Sequence, residues 1–190
     1  MREIKDKVTF KGNPVTIVGE EVKVGEKARD FTVLASDLRE VKLSDYAGKV
    51  VVITVFPSVD TGVCALQLAR FNQEAANFSD DVQLLTISVD LPFALGRYCA
   101  DKGIKNALTA SDHRDLDFGL KYGFVIKELR LLTRGTIIVD KEGIIRYVEY
   151  VPEVGQEPNY DAALEVVKKL VISLFQYLFK TIPERTIRLK

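Results

Sequence analysis

"VVVITVF", residues 50–56, followed by "PSVDTGVCALQLARFNQEAANF" (57–78) and "VQLLTISVD" (82–90), decides the fold. The first run is β-branched almost throughout and shows no polar alternation. That is the pattern of a strand buried on both faces, in the middle of a sheet. The spacing predicts a helix from about Gly62 to Phe78, a second strand from Val82 to Asp90, and a further helix opened by Pro92 in its first turn, where the missing N–H costs nothing. A β-α-β-α unit of this kind implies parallel pairing with a right-handed crossover.

Working outward, "VTF" and "VTIV" flank "KGNP", where Gly12 and Pro14 supply the turn chemistry of an N-terminal β-hairpin. In "ARDFTVLASDLREVKLSDYAGK", turns around Ser36 and Asp37 and from Asp45 to Gly48 bracket short apolar pieces. Later, "GTIIVD" and "GIIRYVEYV" meet at "KEG", an antiparallel hairpin, and the last helix runs from about Tyr160 past Leu178. Neither an internal repeat nor a low-complexity segment interrupts this α/β order.

The chain has 190 residues, 47% of them hydrophobic, enough for a well-filled core and too short for two independent domains, so one domain is expected. Lys plus Arg and Asp plus Glu both number 27, so no basic field exists to hold phosphate backbones, and nucleic acid is not an expected partner. "MREIKDKVTF" mixes charges of both signs and lacks the apolar core of a secretory signal. No stretch reaches the roughly 20 apolar residues that span a bilayer. A cytoplasmic protein is the expectation. Two cysteines, Cys64 and Cys99, make no disulfide framework, and a bonding pair in the cytosol is usually transient and catalytic. C-x-x-C is absent, and two cysteines with one histidine do not readily assemble a four-ligand metal site; no metal or cofactor is expected.

Cys64 admits two readings. Cys64, Leu68, Phe71, Ala75 and Phe78 recur at the spacing of one apolar helix face, and free cysteines are among the most buried residue types. On that view it is a small hydrophobe. Against it, the residue falls in the first turn of the helix, where unpaired amide N–H groups and the positive end of the helix dipole stabilise an anion. Thr61 lies about one turn away, able to bond the sulfur or an oxygen resting on it. The carboxyl end of a central strand is also where open α/β sheets hold their ligands.

Pro57, Thr61 and Cys64 in "PSVDTGVC" match the P-x-x-x-T-x-x-C active-site motif of peroxiredoxins, and "KLSDYAGKVVVITVFPSVDTGVC" resembles that family along its length. The opening "VTFKGNPVTI", the segment "SVDLPFALGRYC" ending in Cys99, and "EPNYDAAL" before the last helix resemble the thiol peroxidase group, the atypical two-cysteine peroxiredoxins. The resemblance covers about residues 7 to 170. It implies a thioredoxin-like fold of peroxiredoxin type over 1–170, a homodimer, and reduction of hydrogen peroxide and organic hydroperoxides with electrons from thioredoxin. It also implies that Cys64 is the peroxidatic and Cys99 the resolving cysteine, the two joining in an intramolecular disulfide, and that an arginine at the start of a later strand completes the site. Arg134 in "TRGTIIVD" occupies the matching place; Arg130 in "KELRLLTRG" competes for it if the register shifts.

The chemistry sets its own requirement. A thiolate attacks one peroxide oxygen in line while the other leaves, so negative charge spreads along S–O–O. A free thiol is a few per cent ionised at neutral pH, so full ionisation gains at most about thirtyfold. The remainder must come from fixed donors, each worth on the order of 2.7 to 4 kcal/mol. Thr61, the Cys64 amide and Arg134 are the candidates. Pro57, with φ fixed and no N–H, either shapes the turn and shields the sulfur or simply ends the strand. Because bonded cysteines need Cα atoms within about 7 Å, a first helical turn around Cys64, Cys99 or both is expected to unwind during turnover.

Two other readings use the same cysteines: a thiol-disulfide reductase, disfavoured without C-x-x-C, and a redox sensor that is oxidised once and stops. His113, in "SDHRD", reads as a solvated loop residue; Asp80, Asp81, Asp112, Asp115 and Asp117 read as solvated turns and helix-start caps. Residues 171–190, "VISLFQYLFKTIPERTIRLK", extend the last helix with an apolar arc too wide for one packing surface, and packing against another subunit is the expectation.

Overall fold

The computed structural model describes residues 2–180, with side chains through Val171. Strands β1 (Glu3–Phe10) and β2 (Asn13–Val18) form the expected N-terminal hairpin, turning at Lys11 and Gly12, both at positive φ. Next come β3 (Thr32–Ala35), β4 (Glu40–Lys42), a single 3-10 turn at Leu43–Tyr46, and β5 (Val50–Val55). Helix α1 (Gly62–Ala75), β6 (Val82–Ser88), α2 (Pro92–Lys102), β7 (Leu108–Ser111) and α3 (Asp117–Tyr122) follow. The chain ends through β8 (Val125–Ile126), β9 (Leu131–Leu132), β10 (Gly135–Val139), β11 (Ile145–Tyr150) and α4 (Tyr160–Lys180).

Seven strands make one sheet in the order β11-β10-β5-β6-β7-β3-β4, and β1-β2-β8-β9 make a smaller one. As the unbroken apolar run requires, β5 is central and every one of its six residues is buried. It pairs parallel with β6, which pairs parallel with β7, while β10 runs antiparallel on its other side. One sheet face carries Val51, Ile53, Leu85 and Ile137 against Phe118 and Tyr122 of α3. The opposite face carries Val50, Val52, Leu84 and Ile138 against Phe71 of α1 and Ala163 and Val167 of α4. Alternate residues of one strand thus fill two cores.

Two expected boundaries move. Helix α1 ends at Ala75 rather than Phe78, though Phe78 still packs against the α1–α4 side of the core. Strand β6 stops at Ser88 because Asp90 leaves the ladder and turns its carboxylate onto Ser58 and Val59. Strand β7, helix α3 and the β8–β9 pair had no counterpart in the sequence reading. Helix α4 passes Leu178 as expected. Val171 packs on the chain's own α1–α4 core, and the rest of the apolar arc of 171–190, with its packing against another subunit, lies on side chains outside the described residues.

The topology positions the site. Parallel β5, β6 and β7 end at one edge of the sheet, so the loops at 56–61, 89–91 and 112–116 gather there. Antiparallel β10 begins where β5 ends, with Gly135 opposite Val55, which brings Arg134 to the same edge. Gly135 is obligatory in that position: a Cβ would fall 2.1 Å from the Glu149 carbonyl oxygen and 2.7 Å from the Phe124 ring.

Candidate active site

Cys64 is fully buried, packed with Phe56, Val59, Leu68 and Leu95. The bland reading of this cysteine therefore has its burial right, but the sulfur is not in an apolar environment. Thr61 Oγ1 donates to Cys64 Sγ at 2.7 Å and Arg134 Nη2 donates to it at 3.1 Å. Thr61 is the N-cap of α1, yet its hydroxyl makes no capping bond to the helix backbone. An N-cap threonine ordinarily satisfies a first-turn N–H. Here the hydroxyl serves the sulfur instead, and the first-turn amides, Cys64 N–H among them, stay available to an incoming anion or oxygen.

Arg134 is 1% exposed and ranks first among the large buried side chains. Its Nε donates to the Val154 carbonyl at 2.8 Å and Nη1 to Gln67 Oε1 at 2.5 Å. Among the described residues no carboxylate lies within ion-pair distance of it. A buried guanidinium without a counter-charge is strongly disfavoured. The sulfur it faces can supply that charge as a thiolate.

Gln67 was not foreseen. It sits on the buried face of α1 one turn after Cys64, with Nε2 on the Val55 carbonyl at 3.2 Å and Oε1 on Arg134, so it ties the end of β5 to the guanidinium. A polar residue at i+3 from Cys64, on the apolar stripe, was the available signal. The Val154 carbonyl is held from the other side. Val154 N–H donates to the Thr9 carbonyl and Thr9 N–H to Pro152, while the Glu153 carboxylate accepts from Thr9 Oγ1 at 2.7 Å and from the amides of Lys11 and Gly12 at 3.1 Å each. The Gly155 amide above all, and then these donors, hold the Glu153 carboxyl well below its usual range, at about 2. The N-terminal hairpin thereby braces the loop that orients Arg134.

The chain as a whole has relatives among known proteins. The Redoxin family matches residues 23–164. The chain belongs to that family. A thiol peroxidase from Oceanobacillus iheyensis is 58% identical over 162 residues, covering 85% of this chain and 98% of that relative; one from Bacillus subtilis is 54% identical over 164 residues, covering 86% and 98%. The crystal structure of a peroxiredoxin-like protein from Aquifex aeolicus superposes with a TM-score of 0.82 at 40% identity, covering 90% of this chain and 99% of that one. A thiol peroxidase from Chromobacterium violaceum, at 22% identity and a TM-score of 0.76, shares the fold. This redoxin is a thiol-dependent peroxidase with a thioredoxin-like α/β fold, as the motifs implied.

The second cysteine of this redoxin is not bonded to the first. Both are free thiols, and Cys99, in the last turns of α2, shares a hydrogen bond with Thr109 Oγ1 of β7 at 3.3 Å. Burial pushes its thiol pKa up, opposed by the Thr109 contact. Leu95 and Tyr98 of α2 pack in the cluster around Cys64, while the Cys99 sulfur has its hydrogen-bond partner on β7. Pro57, directly after the β5 end and Phe56, is buried. Arg130 is exposed, at φ 53° in the β8–β9 turn, and does not compete with Arg134 for the sulfur.

His113 is half-buried, its Nδ1 2.9 Å from Ser111 Oγ, rather than fully solvated. Asp112 corrects the sequence reading outright. It is 2% exposed, its carboxylate accepts from the amides of Phe118 and Gly119 at 3.1 and 2.7 Å, and burial pushes its pKa up to about 7 despite those donors. Asp115 is the exposed turn residue expected, and Asp117 opens α3 while accepting from Thr32 N–H. Among the described residues no group of three or more His, Cys, Asp and Glu side chains gathers to hold a metal.

Proposed function

We propose that Cys64 is the peroxidatic nucleophile of this peroxidase, that Thr61 and Arg134 activate it, and that Cys99 resolves the oxidised form. The observation that carries the reading is the buried Arg134 guanidinium on the Cys64 sulfur, with the Thr61 hydroxyl beside it. A thiolate at Cys64 is paired with the cation, desolvated and held at the first-turn amides. Its attack on a hydroperoxide ROOH forms an S–O bond and breaks O–O; Cys64 becomes a sulfenic acid, and RO⁻ takes up a proton and leaves as ROH. Thr61 and Arg134 can each swing a donor from sulfur to the reacting oxygens as charge moves there, and this shift distinguishes transition state from ground state. Pro57, buried at the rim, keeps water from the sulfur in this scheme.

The Cys99 thiol then attacks the sulfenic sulfur. The S–S bond forms, the S–O bond breaks, and hydroxide departs with the thiol proton as water. A dithiol of the thioredoxin type returns two electrons and restores both thiols. In the reduced state Cys99 is hydrogen-bonded to β7 and burial raises its thiol pKa; in this scheme the first turn of α1, part of α2 or both unwind to bring the two sulfurs together. Residues 1–170 form the catalytic domain and 171–190 its extension. A cytoplasmic site of action fits the two free thiols, and no helix among the described residues is long and apolar enough to cross a membrane. Leu66, Leu91 and Phe93 are more than half exposed, apolar area that a second copy in a homodimer would cover.

The test is hydroperoxide turnover coupled to a thioredoxin system, with Cys64→Ser alongside. Sustained turnover by the native chain and none by the variant is expected; a retained rate in the variant would remove Cys64 from the chemistry. Oxidation of one equivalent without turnover would favour a sensor.

A further inference from the structure

We infer that Asp90 is a positioning residue that latches the Cys64 loop in its peroxide-reactive conformation, and that releasing this latch sets the rate at which Cys99 reaches Cys64. The inference rests on the roles proposed for those two cysteines. Asp90 lies between β6 and α2, two residues before Pro92, and so heads the segment that carries Cys99. Its carboxylate does not act within that segment alone. Oδ1 accepts from Ser58 Oγ at 2.6 Å and Oδ2 from the Val59 amide at 2.9 Å, both in the loop between β5 and α1. Ser88 Oγ donates to Oδ2 at 2.7 Å and itself accepts from the Asp90 amide at 3.2 Å. The Asp90 carbonyl accepts from Ser111 Oγ at 2.5 Å, which fastens its backbone to the end of β7.

One side of Asp90 is thus fixed to the sheet, and the other side grips the loop that leads into α1. Ser58 Oγ also accepts from the Asp60 amide at 3.2 Å, and the Ser58 carbonyl accepts from the Thr61 amide at 3.3 Å. The grip is therefore one step from Thr61, whose hydroxyl bonds the sulfur. Val59 packs against Cys64 in the same small cluster as Leu95 and Tyr98 of α2. Breaking the two bonds from Asp90 to Ser58 and Val59 frees the first turn of α1 without disturbing the sheet. The same side chain that aligns the thiolate for peroxide therefore opposes the unwinding that disulfide formation needs.

The experiment measures the two steps separately by stopped-flow in Asp90→Ala, Ser58→Ala and the double variant. Cys64 oxidation is followed in a Cys99→Ser background and disulfide formation in the Cys99-containing chain. Asp90→Ala is expected to slow oxidation between about ten- and a hundredfold through misalignment. It is expected to speed disulfide formation at least about fivefold, the effect of losing one net hydrogen bond. Sulfinic acid yield at high peroxide should fall. Ser58→Ala should move both steps in the same directions by less, and the double variant should add little to Asp90→Ala.

A structural defect slows both steps together, so equal or parallel changes would overturn the latch, as would additivity in the double variant. If Asp90→Ala does not fold, Ser58→Ala alone must show the opposed pair of changes or the inference fails. If the native chain itself forms no Cys64–Cys99 disulfide, it is the assignment of the two cysteines that fails.

Discussion

Replacing Arg134 by lysine keeps the charge and removes the planar fork. The native guanidinium reaches three acceptors in three directions: Val154 O at 2.8 Å, Gln67 Oε1 at 2.5 Å and Cys64 Sγ at 3.1 Å. A lysine ammonium is a compact point charge on an unbranched stem and cannot span them. Loss of the donor aimed at the sulfur and the reacting oxygens should slow Cys64 oxidation by about 10² to 10³, the cost of one oxyanion-type donor. Burial of the guanidinium adds a cost in stability. With Arg134 buried, the variant leaves at least one of the Gln67 and Val154 acceptors unsatisfied, at about 1–3 kcal/mol. For a chain of this size that lowers the melting temperature by roughly 2 to 12 °C. Stopped-flow oxidation by one equivalent of hydroperoxide in the Cys99→Ser background reads the first effect, and thermal unfolding by circular dichroism reads the second. A rate within about threefold of native, less than any oxyanion-type donor contributes, would refute the argument. Should Arg130→Lys show the larger fall, the wrong arginine has been named.

Thr61→Val should slow the same step by about 10²-fold while leaving stability almost unchanged, because the hydroxyl serves the sulfur and not the helix backbone. Thr61→Ser should recover most of the rate; a valine variant that unfolds more easily yet reacts normally would show that the threonine is a cap after all. The Asp112 carboxyl rises on folding from an ordinary 3.8 to about 7. Between those values the folded protein retains a proton that the unfolded chain has released, so stability present at low pH falls as pH rises across the window, by about 4 kcal/mol at most. Urea midpoints of the native chain against pH should carry this slope and those of Asp112→Asn should lose it; identical slopes would contradict the shift.

Local pattern made the centre of the fold legible and left its margins dark. The β5 run declared its double burial by lacking polar residues, and Pro92, Gly12 and "KEG" marked turns whose geometry is dictated within a few residues. Strands β8 and β9 have two residues each, too few to show a period, and β2 meets β8 across more than a hundred residues of chain. Thr61, Cys64 and Arg134 were legible through the motifs that carry them. Gln67 and Asp90 were not, because each acts through a partner distant in sequence: Gln67 carries no motif of its own, and Asp90 read as the end of a strand. Asp112 misled for a related reason. A charged run such as "SDHRD" normally faces water, and only the folding of α3 onto β7 puts two amides around one of its carboxylates.

The central claim is that peroxide oxidises Cys64 first and that Cys99 then captures it. Mass spectrometry of peptides after one equivalent of hydroperoxide tests this directly. The native chain should yield a single intramolecular Cys64–Cys99 disulfide, and the Cys99→Ser variant a sulfenic acid confined to Cys64. Oxygen appearing first on Cys99, or a disulfide between two Cys64 residues of different chains, would contradict it.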